Sequence, residues 1–419
     1  SPHLTAPHRA QIASRVGGEA TTDEAAALDA ALASLLLGLC RIDPTAVLLQ
    51  LLALHGAAPL GGRRQRELGA RLQELRAERP RAHDAAEALA SCCRQLAVAQ
   101  GAATREVAAL NTLHERVALD ELRVPAAPHA TAPLQRVECG REITASDKLR
   151  TSRLLSCIDQ SGEVHPLLLK ARPAAEFNPL KEAVAAQALR QAAALVTGPK
   201  GLGPASSPQQ IASHVLPLAP AARGDGGFVA SALVHYRSTA FNLEAWLAKE
   251  HTAAHAAGID AVPPPVASRM FSDAACGAAV GVASGKADGA DAATIWSELR
   301  HSTRPVLHRL LLQHSRSAEA WAERRECFSR SVAAGCIAGW VVGLGDRAPR
   351  SLLYDAHSGQ LLHTRLHSLL DTARTLPLPE EVPFRLTREL QACAAPTALV
   401  APTALVAPTA LAAFAAPTR

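Results

Sequence analysis

The chain has 419 residues, long enough for two or three domains with sizeable cores. Its 43 basic and 38 acidic side chains leave a formal charge of +5 and are scattered rather than gathered in a stripe, which gives no direct signal for a nucleic-acid partner. Residues 1–20 lack the apolar core of a signal peptide, and the apolar run at 34–39 is far shorter than the ~20 residues of a membrane span, so neither export nor a membrane anchor is expected.

The N-terminal third reads as helical. Thr21 and Glu24 form a capping-box signature ahead of leucines at 28, 32, 35, 36 and 39. Asp43-Pro44 reads as an N-cap followed by proline at the first helical position, opening a helix that runs to about Gly56. Leu68, Leu72 and Leu75 continue the helical period until Pro80 interrupts it, and further helices are expected over 82–99 and 103–119. Pattern alone leaves open a bundle or the end of a helical repeat array.

The proline- and alanine-rich stretch 125–135 reads as a linker closing the helical segment 1–124. Strand signals follow. The run Leu154–Ile158, the turn Asp159-Gln160-Ser161-Gly162 and the run Val164–Lys170 make a hairpin. A helix is expected over 183–196, a loop over 198–208, and strands at His214–Leu218 and Gly227–Leu233. Residues 236–392 read as mostly helical, interrupted by a Gly/Ala/Asp-rich, disordered insertion at 275–292. The tail 393–419 repeats Ala-Pro-Thr-Ala-Leu-Val with a six-residue period, too short a unit to carry a core, and reads as low-complexity.

Aromatic residues make up only 3% of the chain and much of the apolar content is alanine, so modest stability is expected. The nine cysteines form no C-x-x-C pair and are odd in number, which fits reduced, buried thiols in a cytoplasmic or nuclear protein rather than a disulfide framework or a zinc site. The first residue is Ser rather than Met, which reads as a fragment or a partial gene model.

The chemistry concentrates near the C-terminus. Gly343-Leu344-Gly345-Asp346-Arg347-Ala348-Pro349-Arg350-Ser351 precedes Leu362-His363-Thr364-Arg365-Leu366, and Val382-Pro383-Phe384-Arg385-Leu386-Thr387 follows. This order resembles the catalytic loop, metal loop and activation segment of phosphatidylinositol 3-kinase-related protein kinases (PIKKs), whose pattern is G-L-G-D-R-H-x-x-N, H-[IV]-D-[FY] and V-P-F-R-[LM]-T. The resemblance covers about residues 136–390. It implies an α+β, two-lobed, PI3/PI4-kinase-like catalytic domain, with a small lobe over 136–235 and a truncated large lobe over 236–392, preceded by an all-α segment. Three stretches, 375–387, 140–144 and 329–331, point within the family to the nonsense-mediated mRNA decay kinase, with the DNA-damage checkpoint members as runners-up.

Phosphoryl transfer is positioning plus charge neutralisation. By resemblance, Asp346 is the base that orients the attacking hydroxyl, with Arg347 beside it in the catalytic loop. Lys170, ending a strand after the Gly162 turn, is the lysine that grips ATP phosphates. Glu182 is its acidic partner, with Glu176 as the rival. The departures are Ala348 in place of His, Ser351 in place of the metal-binding Asn, and Arg365 in place of the metal-binding Asp. Ser is a weak neutral ligand and Arg cannot ligate a cation, so Mg²⁺ is doubtful and no metal ligand is assigned, while ATP remains possible. Arg365 is expected either to touch nucleotide phosphates or to pair with Asp346. Ser231 falls where an adenine-stacking Trp is expected. The substitutions together suggest a catalytically impaired domain acting through protein substrate or scaffold partners. An active kinase with unusual ligands, and a decayed gene product that does not fold, are the alternatives.

Overall fold

The computed structural model describes residues 43–56, 62–99, 104–127, 130–144, 151–197, 211–224, 226–258, 304–366, 368 and 385–394. The expected helix after Thr21, the loop at 198–208, the insertion at 275–292 and the repeat tail lie outside them. The chain divides into two compact units, residues 1–177 with 216–234, and residues 178–215 with 235–419.

The first unit joins the helices to a sheet over one continuous core. Helix α1 (Pro44–Gly56) starts as the dipeptide Asp43-Pro44 suggests, with the Asp43 carboxylate accepting the Ala46 N–H at 3.1 Å. Leu48, Leu49 and Leu51 bury its inner face. Helix α2 (Gly62–Glu78) ends where Pro80 takes the first position of α3 (Pro80–Val98). On α3 the buried residues are largely small, among them Ala82, Ala85, Ala86 and Cys93, so neighbouring elements approach closely. The stretch expected as one helix over 103–119 is two, α4 (Thr104–Asn111) and α5 (Leu113–Arg116). The break coincides with Asn111, whose carboxamide oxygen accepts the Cys139 N–H at 2.7 Å and ties the helix end to the sheet.

Strands β1 (Leu134–Thr144), β2 (Thr151–Asp159) and β3 (Val164–Pro173) are antiparallel neighbours. β4 (Val215–Ala222) and β5 (Phe228–His235) complete a five-stranded sheet in the order β1-β2-β3-β5-β4. The segment before β1 is packed, with Val124, Ala126, Ala127 and Ala130 all buried. Asp159 builds the β2–β3 turn: one carboxylate oxygen accepts from the Ser161 N–H, the Ser161 hydroxyl and the Glu163 N–H, and the other lies 2.9 Å from His165 Nε2. The hydrogen bonds from Ser161 and then His165 hold its pKa down at about 2.

The second unit holds α6 (Pro179–Thr197) against the long α9 (Ala318–Val341), with α7 (Leu243–Ala256), α8 (His308–Gln313) and α10 (Arg388–Ala394). The region is not only helical. A small antiparallel sheet runs β6-β7-β8, from β6 (Ala240–Asn242), β7 (Leu352–Asp355) and β8 (Leu361–His363). Its core gathers Leu243, Leu247, Leu307, Leu310, Phe328 and Tyr354, with Tyr354 packed between Phe241, His314 and Phe328. Glu389 pins α10: one oxygen accepts the Val306 and Leu307 N–H groups at 2.9 Å each, and the other lies 2.7 Å from His251 Nε2. Seven cysteines among the described residues are free thiols. No described helix is long and apolar enough to cross a membrane.

Candidate functional site

The catalytic-loop frame is built at the C-terminal end of α9. Gly343 turns the chain with φ +65°, a conformation costly for a residue with a Cβ. The Leu344 N–H then donates to Gly339 O at 2.7 Å, and the Gly345 N–H to Ser368 O at 2.9 Å. Asp346 emerges from this turn only 8% exposed. A short 3₁₀ turn, Pro349–Ser351, follows and carries the chain into β7.

The catalytic-loop and metal-loop segments are tied to each other. Thr364 donates to Ser351 O twice, from its N–H at 2.8 Å and from its hydroxyl at 3.1 Å. β8 is held on α9 through Ser331, whose hydroxyl accepts the Leu361 N–H at 2.9 Å while donating to Phe328 O. The His363 N–H donates to Ile211 O at 2.7 Å. His363 itself is buried, its Nδ1 has no hydrogen-bond partner, and its pKa falls to about 4, first through burial and then through the nearby Arg347 guanidinium. Its ring lies so close to α9 that a Cβ at Gly335 would be 2.5 Å from Nε2.

The expected site residues are placed as follows. Asp346 and Arg347 share the loop, but Arg347 is 3% exposed and belongs to the interior around His363. Arg365 is exposed and has φ +57°, a left-handed backbone uncommon for a non-glycine residue. The expected pairing of Arg365 with Asp346 is corrected here: the cation on Asp346 is Arg350, with Nη2 3.4 Å from Oδ1. Arg350 lies four residues after Asp346, in the 3₁₀ turn, close enough in sequence for its side chain to fold back on the carboxylate, whereas Arg365 follows β8. Lys170, on β3 of the first unit, is half-buried with Nζ 4.4 Å from the Phe177 ring centroid, a cation–π contact. Ser231 is buried in β5. Glu182 opens α6 in the second unit and is buried, while Glu176 is exposed.

Two elements of this site escaped the sequence reading. Arg350 occupies a variable position of the motif, and only its i, i+4 spacing from Asp346 signalled it. Asp355, in the β7–β8 turn, accepts from Arg237, Thr239, Ser358 and the His357 N–H. Burial pushes its pKa up, but these donors outweigh burial and hold it below the ordinary value.

The donors do not suit Mg²⁺. A magnesium ion takes octahedral oxygen ligands, usually with one or two carboxylates. Ser351 is fully buried with its Oγ unpartnered, Arg365 is a cation, and Asp346 already faces Arg350. Asp355, the next acid along the chain, is saturated by its own donors.

Comparison with known proteins agrees with this frame. The family model for phosphatidylinositol 3- and 4-kinase matches residues 274–417. The chain therefore has a PI3/PI4-kinase-like fold. Its homologues are PIKK-type serine/threonine kinases. The protein kinase Tel1 of Cryptococcus neoformans var. neoformans serotype D (strain B-3501A) is 38% identical over 96 residues, 23% of this chain and 3% of Tel1. Mec1 of Candida glabrata is 40% identical over 87 residues, 21% of this chain and 4% of Mec1. The structure of the FAT and kinase domain of CtTel1 superposes on 87% of this chain and 25% of that one, with a TM-score of 0.61 at 17% identity. The chain thus spans only a few per cent of the length of the curated relatives it matches, and the likeness to CtTel1 establishes the PI3/PI4-kinase fold.

Proposed function

We propose that this chain is a PIKK-type serine/threonine kinase domain whose phosphotransfer is impaired and which acts by binding nucleotide and protein partners. One observation carries the reading: the base Asp346 is engaged by Arg350 while a buried serine and an exposed arginine hold the two metal-ligand positions. When bound, ATP would supply the phosphoryl group. Within the second unit Asp346 would accept the hydroxyl proton once Arg350 moved away, and in the first unit Lys170 is by resemblance the lysine that neutralises phosphate charge. Removal of one group that stabilises transition-state charge typically lowers a rate by about 10²–10³-fold, and here both metal ligands are replaced.

The test is phosphotransfer from ATP to a serine-containing peptide in Mg²⁺. The expected rate lies at least about 10²-fold below the ~1–100 s⁻¹ of protein kinases, and Asp346→Ala lowers it no further. Turnover in the ordinary range that Asp346→Ala abolishes would instead establish an active kinase with unusual ligands. The finer assignment, to nonsense-mediated mRNA decay signalling in the cytoplasm or nucleus, rests on residues 140–144, 329–331 and 375–387. Its test is whether loss of the protein stabilises transcripts with premature stop codons; unchanged transcript half-lives would leave the checkpoint type as the reading.

A further inference from the structure

We propose that the Asp346 face of the second unit binds the polyphosphate of a nucleotide without a divalent cation, through the paired guanidinium groups of Arg350 and Arg365. The inference rests on the nucleotide-binding reading above and assigns the charge that replaces the metal.

The two arginines flank one hydrogen-bonded junction. Arg350 immediately precedes Ser351 and Arg365 immediately follows Thr364, and Thr364 donates twice to Ser351 O. The segments that carry the two cations are therefore fixed to each other, and Arg350 reaches Asp346. Both are available to a ligand. Arg365 is exposed, and Arg350, half-exposed, holds Asp346 through a single contact of 3.4 Å, longer and weaker than a two-pronged guanidinium–carboxylate pair. A phosphate group offers Arg350 the two-pronged geometry that Asp346 does not.

The backbone at Arg365 points the same way. A left-handed φ of +57° at a non-glycine residue is strained and persists only where the surroundings over-determine it. Here the Thr364 bonds precede it and the buried Leu366 follows. Strain of this kind concentrates at ligand-clamping positions.

The charge balance completes the case. Asp346, Arg350 and Arg365 sum to +1 with no metal present, and the buried Arg347 lies next to Asp346 in the chain. A divalent cation added to this face meets net repulsion, while a polyanion meets attraction. In a metal-dependent kinase the cation neutralises the phosphates; here guanidinium groups do so directly. Mg²⁺ then acts as a competitor, because it occupies phosphate oxygens that the arginines would take.

Calorimetric titration of the full 419-residue chain tests this, with inorganic tripolyphosphate and ATP as probes, each in EDTA and in saturating Mg²⁺. Both probes are expected to bind in EDTA and more weakly in Mg²⁺. Arg350→Ala and Arg365→Ala are each expected to weaken binding about 10- to 100-fold, the range for a charge-assisted hydrogen bond. Both side chains are exposed, and circular dichroism confirms that the variants fold. Binding of ATP only in Mg²⁺ overturns the proposal and leaves the nucleotide reading intact. Binding of tripolyphosphate in EDTA with ATP no tighter supports the anion site and overturns the nucleotide reading. Wild-type affinity in both variants, or no binding of either probe, overturns the proposal.

Discussion

Gly335 in the middle of α9 is a sharp test of how tightly the metal-loop histidine is held. On helix propensity alone, Gly335→Ala should stabilise the protein by about 1 kcal/mol. The structure predicts the opposite sign. The new Cβ would lie 2.5 Å from His363 Nε2 and 3.1 Å from Cδ2, distances that no relaxed contact tolerates. The ring cannot swing aside cheaply, because it is buried and its own backbone N–H is committed to Ile211 O. Overpacking of this kind costs about 1–3 kcal/mol, and an off-rotamer ring about 0.5–1.5 kcal/mol more. Net destabilisation of about 1–2 kcal/mol is expected, read by urea unfolding followed by circular dichroism. In a His363→Ala background the obstacle is gone, and the same Gly335→Ala change should stabilise by about 1 kcal/mol. The sign reversal is the signature, and it amounts to a coupling of about 2–3 kcal/mol. Stabilisation by Gly335→Ala in the wild-type protein would refute the contact.

His363 also sets a pH limit: its folded pKa of about 4 lies below the ordinary 6.5, so the unfolded chain takes up a proton first and stability falls as pH drops from about 6.5 to about 4, by up to about 3 kcal/mol. His363→Gln should flatten that part of the pH–stability curve, and an unchanged slope would assign the acid sensitivity elsewhere. Asp355→Ala removes the carboxylate beside the largely buried Arg237 and the acceptor of Thr239 and Ser358, so a loss of about 3–5 kcal/mol is expected on chemical unfolding; a loss under about 1 kcal/mol would show the network to be slack. Ser351→Asn combined with Arg365→Asp should replace metal-free polyphosphate binding by Mg²⁺-dependent nucleotide binding, and persistent binding in EDTA would contradict the assignment of Arg365.

Local chemistry made much of the fold legible in the sequence. The Asp43-Pro44 cap, the break at Pro80 and the β2–β3 hairpin each follow from residues acting on their neighbours. The small β6-β7-β8 sheet was not legible, because strands of three or four buried apolar residues such as Leu361–His363 are too short to show a period. The break near Asn111 depends on Cys139, 28 residues away, and no helical pattern contains it. At the candidate site the motif names Asp346 and the substituted positions by their fixed spacing alone. It misassigned the cation on Asp346, because an ion pair depends on which side chain reaches the carboxylate. Arg350 lay at a position that the motif leaves variable.

The retention of this frame without its metal ligands has a physical basis. The segments that position Asp346 are held by groups that never touch a metal: Leu344, Leu352, Tyr354, Leu361 and Leu362 are buried, and Ser331, Gly345 and Thr364 fix the backbone. On the proposed reading, substitution at Ser351 and Arg365 leaves the packing of the second unit standing while lowering its affinity for a cation. The Ser351 hydroxyl is fully buried and unpartnered, which costs about 1–3 kcal/mol in desolvation. A loop that carried a metal ligand here would have to hold that atom open to the ion; with serine the position has closed. Restoring an asparagine must therefore reopen the loop as well as supply an amide oxygen. On the proposed reading, weak metal binding and burial of Ser351 have one cause, and the charge demanded by a bound phosphate would fall to Arg350 and Arg365.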